Sequence, residues 1–398
     1  MMPRVSTLAG RIQPSATLAA GAKARQMRAQ GIRVYDFSLG EPDFPTPEHI
    51  RQAATEAMQR GLTKYTPANG ILELRTALTQ FYQGLYGISY QPDQVVITSG
   101  AKHAICNALA TLVNPGDEVL LPAPYWTSYR DLIEMNGGVP VYVHSSAEQG
   151  FKLRPEQLRA ALTPRVKVMI LNTPNNPTGA VYRREELQAL GEVLLDSSVA
   201  IISDEIYEFL TYGNAKSTNF ASLHPGLAER TITISGASKT YSMTGWRMGW
   251  ALGPLPLIKA MGNVESQQTG CPNSVSQYAA LAALTGDQSC VEKMRQEFAA
   301  RADLAAQMAS RIPGVTFCRP EGAFYLFFNI AAYFGKLLPI GRTINSSTEF
   351  CQAALETKQV NLVPGSEFGA EGYVRLSYAT NRSEIEAGLD QIKQMLIG

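Results

Sequence analysis

The sequence is poor in the residues that hold metals and build disulfides. Its 398 residues include five cysteines, Cys106, Cys271, Cys290, Cys318 and Cys351, odd in number and without a CxxC pair. That pattern fits free thiols in a reducing compartment better than a disulfide framework, so a cytoplasmic location is expected. The four histidines, His49, His103, His144 and His224, lie far apart and show no metal-ligand spacing, so no metal site is expected. An excess of charge of one sign is also missing. With 35 Lys+Arg against 34 Asp+Glu the formal net charge is +1, which gives no basis for a nucleic-acid partner. No apolar run is long enough to span a bilayer, so no membrane partner is expected. Repeats and low-complexity segments are absent. Acids are absent from the start of the chain: Arg4, Arg11, Lys23, Arg25, Arg28 and Arg33 all precede Asp36. An acid-poor, arginine-bearing start is a feature of transit peptides. The Ala-rich stretch from about Ser15 to Gln30 is suited to helix, and an N-terminal arm followed by a helix is the preferred reading. No continuous apolar core follows the first arginine, which argues against a secretory signal.

What is present is an ordinary globular composition, 45% hydrophobic and 17% charged, in a chain long enough for a large domain and a smaller one. Short β-rich runs at 95–98, 118–121, 139–143, 166–171, 199–203, 231–234 and 246–251 alternate with helix-like segments at 102–113, 127–135, 184–196 and 256–263. Such alternation predicts an α/β fold with a mostly parallel sheet covered on both faces. The 246–251 run follows residue 234 too closely for a helical crossover and is expected antiparallel. Beyond it the pattern changes. Residues 276–311 read as one or two long helices, 324–329, 360–363 and 373–377 as short strands, and 383–397 as a last helix with a Ser383/Glu386 capping box. This second unit reads as a smaller α+β domain.

The chemically capable residues fall just after predicted strands, where open α/β sheets bind ligands. Lys239 lies in Gly236-Ala237-Ser238-Lys239, with Arg247 eight positions on. A lysine amine is the usual protein partner of pyridoxal 5'-phosphate, which it holds as a Schiff base. The pyridine nitrogen of that cofactor needs a buried carboxylate. Asp204 is the candidate, worth roughly 5 kcal/mol before desolvation at about 3 Å and an effective dielectric of about 20; it reads equally as a helix N-cap. Asn176 and Tyr207 suit the phenolic oxygen, although Asn175-Asn176-Pro177-Thr178-Gly179 also has the composition of a turn. Trp126 offers a stacking face, or is core. Gly100, Ala101 and Lys102 open a helix whose amides can hold phosphate, aided by Ser238 and Arg247. Arg375 is the candidate for an α-carboxylate, or is a structural salt bridge.

With these residues in place, the chain resembles the class I (fold-type I) pyridoxal-phosphate aminotransferases, in the bacterial aspartate aminotransferase-like subgroup. The resemblance covers nearly the whole chain from about Ser15. It rests on Leu39-Gly40-Glu41-Pro42-Asp43-Phe44, Pro124-Tyr125-Trp126, Asn176-Pro177-Thr178-Gly179, Ser203-Asp204-Glu205-Ile206-Tyr207, Gly236 to Gly249, Gly322-Ala323-Phe324-Tyr325 and Val374-Arg375-Leu376-Ser377-Tyr378. It implies a three-layer large domain with a seven-stranded sheet at 46–295. The smaller domain would take in 296–398 together with an N-terminal arm and helix in 1–45. Lys239 would be the Schiff-base lysine and general base, with Asp204 on the pyridine nitrogen and Asn176 and Tyr207 on the phenolic oxygen. Trp126 would stack, Arg375 would hold the α-carboxylate, and Gly40 would line the substrate site by its backbone. A homodimer is implied, with Tyr65 reaching the neighbour's phosphate.

The family's partner-subunit arginine for a distal carboxylate has no counterpart that can be placed in this sequence. The subgroup implies instead Lys102, with help from Pro14-Ser15-Ala16-Thr17. The expected activity is transamination between an amino acid, aspartate or glutamate first, and a 2-oxo acid such as 2-oxoglutarate or oxaloacetate. Aromatic amino acids, prephenate and a C–S β-lyase reaction are the alternatives. A non-catalytic regulatory module would normally need a DNA-binding unit, and no basic helix-turn-helix precedes Ser15.

Overall fold

In the computed structural model, which describes residues 4–12, 14 and 16–398, the seven predicted runs form one seven-stranded sheet. Its order is Val95–Thr98, Gly249–Leu252, Thr231–Gly236, Ala200–Asp204, Val166–Asn172, Glu118–Ala123 and Val139–His144. All pairings are parallel except those of Gly249–Leu252, which runs antiparallel to both neighbours. The run expected at 246–251 thus starts later, because Thr244–Trp246 is a 3-10 turn and the Trp246 indole N–H donates to Thr46 Oγ1 at 3.0 Å. Apart from the partly exposed edge strand Val139–His144, the strands are buried on both faces,. Val168 and Ile170 pack under the Ala101–Leu112, Ser128–Met135 and Leu255–Gln268 helices. Met169 and Leu171 pack against the Pro155–Ala161 and Arg184–Leu195 helices on the other face. The result is a three-layer α/β unit.

The C-terminal region forms a four-stranded antiparallel sheet in the order Val363–Pro364, Tyr373–Ser377, Tyr325–Asn329 and Thr316–Phe317. The helical stretch before it divides into Ser274–Thr285 and Ser289–Ser310. The strand expected at 360–363 also splits. Val360–Asn361 pairs in parallel with Tyr35–Asp36, while Val363–Pro364 joins the four-stranded sheet. The helix Ala16–Ala29 lies near the predicted position, with Ser15 and Gln13 outside the described residues. The capping box at Ser383/Glu386 does not form. Asn381 is the N-cap of Arg382–Ile397, and its Oδ1 accepts from the Glu384 amide at 2.9 Å. Asparagine caps as well as serine does, and it stands two residues earlier.

Candidate active site

The strand ends converge on a cavity of ≈ 300 Å³ lined by Lys239, Asp204, Asn176, Tyr207, Trp126 and Arg375, with Ala101, Lys102, Ser238, Arg247 and Gly40 completing the wall. Lys239 stands on the short helix Ala237–Thr240, directly after the strand Thr231–Gly236. Gly236 permits that placement, since a Cβ there would meet Met248 O at 2.8 Å and Gly249 Cα at 3.1 Å. The Lys239 ammonium donates to the Gly40 carbonyl. Burial pulls its pKa down to about 8; Arg247 and Arg375 add to the fall, while Glu41 and Asp204 oppose it. The neutral, nucleophilic amine is therefore reached at lower pH than for an ordinary lysine.

Asp204 is the last residue of its strand and is buried. Its Oδ2 accepts from the Tyr129 hydroxyl at 2.5 Å and its Oδ1 from the Ile206 amide at 3.2 Å. Burial lifts its pKa to about 6, against the pull of Tyr129, the Ile206 amide and Lys239. No helix starts at Asp204, so the N-cap alternative falls. Asn172 Nδ2 donates to Asp204 O at 2.9 Å and Asn172 Oδ1 accepts from the Asn176 amide at 2.9 Å, which links the two strand ends. The Tyr207 and Tyr325 hydroxyls are 2.7 Å apart.

Arg375 is 1% exposed, yet among the described residues no acid pairs with it. Its Nη1 donates to Asn176 Oδ1 at 2.8 Å and its Nη2 to Ser38 O at 2.7 Å, while Nε has no partner. The guanidinium carbon lies 4.5 Å from the Tyr325 ring centroid and 4.9 Å from that of Phe368. Among the described residues no salt bridge forms at Arg375. A buried cation without an anion is a standing demand for one.

At the opposite wall the helix Ala101–Leu112 begins after Gly100, whose φ of +92° favours glycine,. A Cβ on Gly100 would meet the Arg247 guanidinium carbon at 3.0 Å, and one on Gly249 would meet Gly100 Cα at 2.9 Å. Arg247 is held by Thr244 O at 2.8 Å and Ser99 O at 3.3 Å. Helix amides, Ser238 and Arg247 form an anion cradle of the kind phosphate requires. Trp126 meets Tyr129 edge to face at 5.2 Å, and Lys102 Nζ lies 5.0 Å from the Trp126 ring centroid. Burial, with help from Arg247, lowers the Lys102 pKa.

An amine, a buried carboxylate, an indole face and an anion cradle around one cavity fit a planar pyridine that carries a carbonyl and a phosphate. Tyr65 is not among them: it is 93% exposed and outside the cavity. Several lining residues were given no role by the sequence reading, among them Tyr129, Glu41 and Tyr325. Tyr129 lies on the helix Ser128–Met135, just past the Pro124-Tyr125-Trp126 stretch, and no local signal marks its hydroxyl as part of the site. Glu41 was in a quoted motif without a role, and Tyr325 likewise.

The family description "Aminotransferase class I and II" matches residues 32–392. An aspartate aminotransferase of Geobacillus stearothermophilus is 47% identical over 385 residues, 97% of each chain. An aspartate/prephenate aminotransferase of Cereibacter sphaeroides is 45% identical over 398 residues, 100% of each. The solved structure of Thermus thermophilus aspartate aminotransferase with maleate superposes with a TM-score of 0.93 at 39% identity, covering 99% of this chain and 100% of that one. The amine, carboxylate and anion cradle thus sit in a chain that belongs to the class I and II aminotransferases, enzymes that use pyridoxal phosphate to move amino groups between amino acids and 2-oxo acids.

Proposed function

We propose that this aminotransferase prefers dicarboxylic donors, aspartate and glutamate, with 2-oxoglutarate or oxaloacetate as acceptor. The observation that carries the reading is a cavity with two cationic walls: Arg375, buried with no acid paired to it among the described residues, and Lys102, whose ammonium lies over Trp126. Arg375 binds the α-carboxylate, and Asn176 and Ser38 O hold its guanidinium in plane. Lys102 receives the distal carboxylate. The names of the relatives and the maleate in the Thermus structure support a dicarboxylate.

Bound pyridoxal phosphate supplies an electron-accepting ring and an exchangeable carbonyl. Gly100, Ala101, Lys102, Ser238 and Arg247 would hold its phosphate, Trp126 would pack on its ring, and Asp204 would keep a proton on its ring nitrogen. Asn176 and Tyr207 would donate to its phenolic oxygen. Lys239 Nζ would be its covalent anchor and is the base placed to move the proton of the substrate Cα. The Gly40 carbonyl orients that amine.

Residues 1–45 with 296–398 as one unit, and 46–295 as the other, belong to this reading, supported by the pairing of Tyr35–Asp36 with Val360–Asn361. A homodimer is part of it too. Tyr65 at 93% exposure, Val5 at 75% and Leu18 at 60% are apolar surface suited to a second copy. A cytoplasmic location is supported by five free thiols. A second reading, prephenate as amino acceptor, is favoured by the same two walls, because prephenate also carries two carboxylates; the Cereibacter relative bears that name.

The test is a panel of amino donors against 2-oxoglutarate and oxaloacetate, with prephenate added. Aspartate and glutamate should lead. Pyruvate and ammonia released without an acceptor would favour a β-lyase. Preference for aromatic over dicarboxylic donors would overturn the reading.

A further inference from the structure

Asn361 ties together two stretches of chain that line the cavity, the helix Ala16–Ala29 and the segment 36–40. It is 3% exposed, on the short strand beside Asp36. Its Nδ2 donates to Ala20 O at 3.0 Å, Asp36 Oδ1 at 2.9 Å and Ser38 Oγ at 3.1 Å. Three acceptors share two hydrogens, so the amide is saturated. Each acceptor leads somewhere. Ala20 belongs to the helix Ala16–Ala29, which carries Thr17 and Leu18 into the cavity wall, and the Thr17 hydroxyl is buried there without a partner. Ser38 is wholly buried, its hydroxyl donates to Asp36 Oδ1 at 2.7 Å, and its carbonyl accepts from Arg375 at 2.7 Å. Leu39 and Gly40 follow at once and line the cavity. The helix that bears Thr17 and the guanidinium of Arg375 are therefore joined through one side-chain amide.

We propose that Asn361 is a positioning residue that couples the Thr17 wall to Arg375, so that the cavity reads the two carboxylates of a substrate as a matched pair. Asn361 touches neither substrate nor cofactor. It acts by donating to carbonyl, carboxylate and hydroxyl oxygens together, which no aspartate can do. The inference rests on the dicarboxylate reading above.

The test uses holoenzyme carrying Asn361→Asp, of the same shape but without the donor, and Asn361→Ala. Each should lower the preference for aspartate over phenylalanine by about fivefold or more, the worth of one net hydrogen bond. KM should rise while kcat stays within about twofold, and the affinity for pyridoxal phosphate should not change. Hydrogen exchange should quicken in 16–29. A silent Asn361→Asp, or equal losses with both donors, would overturn the proposal. Should either variant fail to fold, exchange in the wild-type holoenzyme decides. Maleate should protect 16–29 and 35–40 together, and protection of 35–40 alone would overturn it. Failure of the dicarboxylate reading itself would show in the wild-type donor panel, before any variant is made.

Discussion

Replacing Arg375 by lysine separates charge from geometry at the carboxylate-binding wall. The guanidinium is fixed by Asn176 Oδ1 at 2.8 Å and Ser38 O at 2.7 Å, with the Tyr325 and Phe368 rings at 4.5 Å and 4.9 Å. Lysine keeps the charge but loses the planar fork. A carboxylate gripped by two charge-assisted bonds gains about 1.5–3 kcal/mol from each, and lysine retains about one of them. The net loss is about 1.5–3 kcal/mol, or about 13- to 160-fold in kcat/KM. Folding should survive, because among the described residues no carboxylate would be stranded by the change. The assay is single-turnover transamination with aspartate and with phenylalanine, alongside titration of apoenzyme with pyridoxal phosphate. Both donors carry an α-carboxylate, so both should lose about equally, and cofactor affinity should hold. Near wild-type turnover with both donors, or a loss confined to aspartate, would refute the assignment.

Lys102→Ala should cost about 10- to 100-fold in kcat/KM with aspartate and under about threefold with phenylalanine, from loss of one charged contact; equal losses would remove its role in specificity. Tyr129→Phe removes the 2.5 Å donor to Asp204, so the carboxylate pKa should climb further above about 6. Apoenzyme should then bind pyridoxal phosphate about tenfold more weakly; unchanged affinity would show that the phenol does not support the ionised acid. With Lys239 near 8, capture of pyridoxal phosphate by apoenzyme should quicken about tenfold per pH unit below that value and level off above it. A flat profile from about pH 6 to 9 would contradict the buried amine. Glu208, buried under the hydroxyls of Tyr86 and Ser235 at 2.7 Å and 2.6 Å, is raised by burial from 4.5 to about 7. The folded chain therefore holds a proton there that the unfolded chain releases, and stability falls as pH climbs through that window. Glu208→Gln should flatten the fall of Tm with pH between about 5 and 8, and an unaltered slope would count against a protonated Glu208.

The legible part of this molecule was its large sheet, because its strands are continuous apolar runs ended by small polar residues. Asp204, Asn176 and Lys239 follow from that, since each lies at the end of a strand or within four residues after it. The smaller sheet was less clear. Val360, Asn361, Val363 and Pro364 look like one strand in sequence but serve two sheets, and only the distant partner Tyr35–Asp36 decides where the break falls. Nothing local distinguished Ser383 from Asn381 as a cap. Tyr129 was hidden for another reason. Its apolar body is ordinary core, and only three-dimensional proximity to Asp204 shows that its hydroxyl matters. The Arg375 alternatives could not be separated without a census of its neighbours, because a bound substrate and a salt bridge call for the same residue type.

The pairing of Tyr35–Asp36 with Val360–Asn361 joins points 325 residues apart. A ribosome must release the chain through Asn361 before that closure can occur. Until then Ser38, Leu39 and Gly40 lack their anchor, even though the strands bearing Asp204 and Lys239 have long been made. Competence to bind an amino acid is thus expected to arrive after competence to hold the cofactor. A nascent chain stalled near residue 300 would be expected to capture pyridoxal phosphate while remaining unable to select a substrate.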